Sequence, residues 1–124
     1  MAKAAEKNTR ILIDDFGYEI KAIATYSRVI TDANILGVEV GTTGFCGGDG
    51  GHGGRTYFQI KNLSGTAIHV CPFESGGFEV TLYGDSELRT IIKALKFITT
   101  ILNKKADETK LNEELLEELL QEAT

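Results

Sequence analysis

Only two cysteines and one proline occur in this 124-residue chain, and tryptophan is absent. Two thiols, Cys46 and Cys71, cannot build the disulfide framework of a small secreted domain and leave room for one bridge at most. No apolar run approaches the roughly 20 residues that span a bilayer. The first eight residues, Met1 to Asn8, carry no apolar core of a secretory signal. Both absences point to a cytoplasmic protein. Clustered basic charge is missing too. The formal net charge is −5, but seven of the 18 acidic residues and one of the 13 basic residues lie from Asp107 onward. Residues 1–106 keep 11 acidic and 12 basic residues, a nearly neutral body. A protein that coats a nucleic-acid polymer needs a basic face, which this composition does not supply. There is no internal repeat, and the length fits a single domain, 1–124, with a modest core.

Glycine, by contrast, is abundant and concentrated. Eight of the 14 glycines fall between Gly41 and Gly54, six of them in the run Gly47-Gly48-Asp49-Gly50-Gly51-His52-Gly53-Gly54 that Arg55-Thr56 follows. Glycine costs backbone entropy and packs nothing. Such a run therefore marks positive φ angles or a close backbone approach to something else.

Around that loop the chain reads as short strands. Residues 1–8 read as a loose polar end. Residues 9–13 and 18–26 flank the turn Asp14-Asp15-Phe16-Gly17 and read as a β-hairpin. Residues 35–40, 56–61, 66–71 and 78–83 add four strands, separated by the glycine loop and by turns at Asn62–Gly65 and Ser75–Gly77. Close turns favour antiparallel pairing. At Gly84 the period changes: Leu88, Ile91, Ile92, Leu95, Ile98, Ile101 and Leu102 recur at helical spacing. A break is expected near residues 103–109, before a second helix with a leucine stripe among glutamates. The expected fold is α+β, with residues 9–83 forming an antiparallel sheet of about five or six strands. One or two helices within 85–122 then pack on the sheet and on partner subunits.

The loop lacks the Gly-x-x-x-x-Gly-Lys-Ser/Thr spacing of a phosphate loop. It leads into a strand, not the helix of a dinucleotide fold. Its amides can still form a nest for an anion, with the planar fork of Arg55 gripping phosphate. A plain flexible loop is the competing reading, but Asp49, His52 and Arg55 within the run favour a ligand. His52 with Asp49 or Cys46 is a weak metal set, and no CxxC or HxxxH pattern supports one. His52 as a general base lacks an accompanying nucleophile or carboxylate pair. Asp85 and Ser86 read as helix caps, although a helix N-terminus with Arg89 one turn in also attracts anions. Phe45, Phe73 and Phe78 border glycines and suit stacking on a base, or else a core.

Gly41-Thr42-Thr43-Gly44, the run Gly47 to Thr56, and Gly84-Asp85-Ser86-Glu87-Leu88 before a helix together resemble small phage and prophage proteins. The likeness is to the first anti-Thoeris sponge family, from about residue 9 to residue 103. That resemblance implies a binding protein, not an enzyme, in the cytoplasm of an infected or lysogenic bacterial host. Such proteins hold the cyclic ADP-ribose isomer made by a TIR-domain defence enzyme without cutting it, and some also capture cyclic oligonucleotides. It implies no cofactor, no nucleic-acid polymer and no membrane. It also implies a homo-oligomer of dimers that assemble into hexamers, with sites at subunit boundaries. The positions that match are Gly48, Asp49, His52, Gly53, Arg55 and Thr56 in the loop and Asp85, Ser86 and Arg89 at the helix start. Phe45 or Phe78 would suit the adenine. Two other classes stay open: an oligomeric structural or regulatory protein whose loop binds a protein partner, and a small nucleotide hydrolase using His52.

Overall fold

The computed structural model describes residues 5–13, 20–48, 50 and 53–122. The chain is α+β. Four antiparallel strands run in sequence order: β1 (Glu6–Ile13), β2 (Ile20–Thr31), β3 (Ile35–Thr42) and β4 (Thr56–Ser64). A separate two-stranded ribbon follows, β5 (Ile68–Pro72) with β6 (Phe78–Leu82), and then one helix, α1 (Asp85–Glu122).

Strand positions agree with the sequence pattern, but their assembly differs from a five- or six-stranded sheet. Asn62 exchanges two hydrogen bonds with the backbone of Thr66, at 3.1 and 3.3 Å, and Thr66 Oγ1 donates to the Ile35 carbonyl at 3.4 Å. These contacts tie off the end of the sheet and turn the chain away, so β5 pairs with β6 and not with β4. β1 also starts at Glu6, inside the stretch expected to be loose. Its polar residues pair with β2 as Glu6↔Ser27 through Asn8↔Thr25 because a backbone partner is present. The expected turn at residues 14–17 lies outside the described residues.

Helix α1 runs unbroken for 38 residues, without the expected interruption near residues 103–109. That span holds no glycine or proline to stop it. Lys105 bridges Glu108 at 3.3 Å within the span, and its Nζ sits 5.1 Å from the Tyr26 ring centroid. The expected second helix is therefore the distal half of α1.

The core lies between α1 and one sheet face. Leu36, Val38 and Val40 of β3 and Ile30 of β2 pack against Ala94, Phe97 and Ile98. Leu36, Val40 and Ala94 are fully buried. Alternation along β3 supplies this face, and residues four and three apart on α1 meet it. One polar link fixes where the helix begins. The Thr90 hydroxyl lies in reach of both Asn34 Oδ1 and the Ser86 carbonyl, both side chains being buried, so its single proton is shared.

Candidate functional site

The glycine loop joins β3 to β4 and is closed at its base. The Thr43 N–H donates to the Arg55 carbonyl at 3.0 Å, and the Arg55 N–H donates to Thr43 Oγ1 at 2.9 Å. One residue out on each strand, the hydroxyls of Thr42 and Thr56 are 2.9 Å apart. Thr42 Oγ1 also accepts from the Gly44 N–H at 3.1 Å. Above this base the chain crosses itself twice. A Cβ on Gly54 would stand 2.0 Å from the Gly44 carbonyl oxygen, and one on Gly53 would stand 2.5 Å from that of Gly48. Both distances are far inside contact, so glycine is required there for close approach. The sequence signal of glycine density thus has a physical cause in a loop folded onto itself.

Arg55 is half-buried at the loop's exit. Its guanidinium donates to the carbonyls of Gly53 and Gly54, at 3.2 and 3.4 Å. Gly48 is exposed and Thr56 stands on the sheet face that carries α1. Asp49 and His52 lie outside the described residues. Phe45 projects from the loop, 61% exposed. Cys46 Sγ lies 3.7 Å from Thr43 Oγ1, and both cysteines are free thiols.

Phe78 reaches the loop's end of the sheet through a residue that composition alone did not single out. Phe58, two positions beyond Thr56 and on the same face, has its ring centroid 6.4 Å from that of Phe78. Both rings are about half exposed, as is Phe73 beside them in sequence at the ribbon's turn. The alternation Thr56, Phe58, Ile60 along β4 is the signal that marks Phe58.

Asp85, Ser86 and Arg89 do not join this group within one chain. Arg89 Nε pairs with Asp32 Oδ2 at 3.4 Å, and Thr90 meets Asn34, so the helix start sits at the β2–β3 turn. The loop leaves β3 at its other end, about 23 Å away along the seven steps from Ile35 to Thr42. Asp32 is held below the ordinary carboxylate range, first by the Ala33 backbone N–H and then by Arg89 and Lys93, against the opposing effect of burial. Ser86 Oγ is buried without a hydrogen-bond partner among the described residues. The sequence-derived site is therefore two half-sites, one at each end of the sheet.

On the sheet face away from α1, Arg10 forks onto Glu39 at 2.6 and 3.0 Å and lies 4.5 Å from the Tyr57 ring centroid. The Tyr57 hydroxyl accepts from Gln59 Nε2 at 3.0 Å. The Arg10 hydrogen bond lowers the Glu39 pKa, burial opposes it, and the Thr25 hydroxyl lowers it further. Thr25 Oγ1 is buried and falls short of good hydrogen-bond geometry with any described group, so that third contribution is a weak contact. The cluster braces the two strands that carry the loop. Neither Arg10 nor Glu39 stands out in the sequence, because the contact crosses 29 positions.

Among the described residues no three His, Cys, Asp or Glu side chains gather as a metal set. No helix is long and apolar enough to cross a membrane. In comparisons with known proteins, no family model, no curated protein and no solved structure matches the chain.

Proposed function

We propose that the chain is a phage-type anti-defence sponge. It captures a cyclic ADP-ribose-type signalling nucleotide and leaves it chemically intact, so the defence effector is never switched on. The supporting observation is the self-crossed glycine loop, clamped by Thr43 and Arg55 beside the exposed Phe58 and Phe78 rings. Loop amides and Arg55 suit a pyrophosphate, and an exposed ring suits adenine. Binding exchanges the Arg55 contacts to glycine carbonyls for a fork onto phosphate, in which both donor and acceptor are ionised and the geometry is more specific. A sponge competes only if it binds tightly; nanomolar affinity corresponds to about 12 kcal/mol. A loop already folded in the free chain keeps the ordering cost of binding low.

The active form in this reading is a homo-oligomer. An isolated two-stranded ribbon is marginal in water, yet Val70, Val80 and Phe78 leave 54, 40 and 55% of their surface open. Leu88, Ile92 and Leu95 add an exposed apolar flank on α1. A second copy covers these surfaces and places the Asp85–Arg89 end of one chain by the loop of another, completing the divided site.

The test is incubation with cyclic ADP-ribose isomers, removal of free nucleotide, heat denaturation and chromatography of what is released. Intact nucleotide at stoichiometric yield supports the sponge. A degraded nucleotide assigns the chain to hydrolases. No retention at micromolar protein overturns nucleotide binding and leaves the protein-partner class.

A further inference from the structure

β2 is longer than the strand beside it. β1 pairs with β2 only as far as Glu6↔Ser27, while β2 continues to Thr31. From Arg28 onward that edge therefore has no described strand partner, and a cleft of about 910 Å3 opens between it and α1. The volume is that of an ordinary small-molecule site.

Its lining is chemically one-sided. Arg28 comes from β2, and Lys93 and Lys96 come from α1 at i and i+3. Among the described residues, no carboxylate lines the cleft. Lys93 shares Asp32 with Arg89, at 3.5 Å from the carboxylate. Lys96 makes no ion pair among the described residues and points to solvent. The Arg28 guanidinium is held 4.7 Å from the Phe97 ring centroid, and its Nε is buried with no hydrogen-bond partner among the described residues. A buried N–H donor left unsatisfied is unfavourable, the more so when charged. The floor is apolar: Ile30, Phe97 and Ile101. Thr31 and Thr100, both exposed, also line the cleft.

We propose that this cleft binds a small organic phosphate. Its phosphate lies among Arg28, Lys93 and Lys96, and its apolar or aromatic body lies along Ile30, Phe97 and Ile101. Arg28 and Lys96, beside a Lys93 already shared with Asp32, select an anion, and the apolar floor selects an organic one over free phosphate. The orphaned Arg28 donor gains its partner, and the ring behind it keeps the guanidinium in place. This site is separate from the glycine loop and does not depend on the function proposed for it.

The experiment is calorimetric titration with AMP and, separately, inorganic pyrophosphate at low salt. AMP is expected to bind more tightly than pyrophosphate, and 0.3 M salt to weaken both. Lys96→Glu, an exposed change, should weaken AMP at least tenfold with an unaltered melting temperature. Arg28→Gln should do the same. Lys61→Glu, the same charge change on the opposite sheet face, should leave AMP binding as it was. Absence of AMP binding at millimolar concentration overturns the proposal, as does unchanged affinity in Lys96→Glu. Binding to phosphatidylglycerol vesicles without binding to AMP overturns it too, because the cleft would then read a lipid surface.

Discussion

Gly54→Ala adds one methyl group to a surface loop, yet it should weaken ligand binding by more than tenfold. The added Cβ would meet the Gly44 carbonyl oxygen at 2.0 Å, a collision with backbone that no rotamer relieves. Overpacking of this kind costs about 1–3 kcal/mol. Gly54 does not have a positive φ, so left-handed strain contributes nothing and the whole effect is the collision. The loop can escape by opening its base, which sacrifices the two Thr43–Arg55 hydrogen bonds, worth about 1 kcal/mol each. The stability loss is thus capped near 2 kcal/mol, and the sheet core beneath is untouched. A domain of this size loses roughly 3–5 °C of melting temperature per kcal/mol, so a fall of less than about 10 °C is expected. If the closed loop is the binding form, affinity for the cyclic nucleotide drops by about 10- to 30-fold. The comparison variant is Gly47→Ala. Its Cβ meets nothing within 4 Å, but its φ of +75° strains alanine, at about 1–2 kcal/mol. The Thr43–Arg55 base should survive that change. Calorimetry with a cyclic ADP-ribose isomer, alongside thermal melts, reads both variants. Wild-type affinity in Gly54→Ala would refute the claim that the self-crossed loop is the recognition element.

Arg55→Ala should abolish nucleotide retention without changing the oligomer mass in sedimentation; retention equal to wild type would remove Arg55 from the site. Leu36→Ala, at a fully buried position against α1, should cost about 2–5 kcal/mol in urea denaturation, and a smaller loss would place the core elsewhere. Glu39 and Asp32 both titrate below their ordinary values in the folded chain. Their contribution is therefore complete above the unfolded carboxylate range near pH 4 and lost as pH falls through the lower folded values. Stability should be flat from about pH 5 to 7 and fall below about pH 4, and Glu39→Gln should flatten part of that acid limb. Truncation after Asn103 should lower the oligomer mass if the distal helix joins copies, and an unchanged mass would confine the interface to the ribbon and the Leu88–Leu95 flank.

Period and punctuation made the elements legible. Alternation marked β2 to β4, and the switch at Gly84 placed the start of α1. What they could not show was which strands share a sheet. That depended on Asn62 gripping the backbone at Thr66, a contact of one side chain that leaves no periodic trace. The missed continuity of α1 has a different origin: polar residues 103–109 resemble a loop, but without glycine or proline nothing there stops a helix. For the site, glycine density pointed to the loop, and the alternation along β4 would have pointed to Phe58. The separation of the helix start from the loop was invisible, because sequence order says nothing about which end of a sheet a returning helix reaches. Arg28 carries no periodic mark, because its stacking on Phe97 spans 69 positions.

Helix α1 is about 57 Å long at 1.5 Å per residue, whereas β3 is about 26 Å. Its own sheet can shelter only half of it. The proximal half is moored to the β2–β3 turn through Asp32, and the distal half extends past the reach of the sheet. A single continuous rod held at its root acts as a lever, so a small rotation where Arg89 and Lys93 hold it sweeps the far end through a much larger arc.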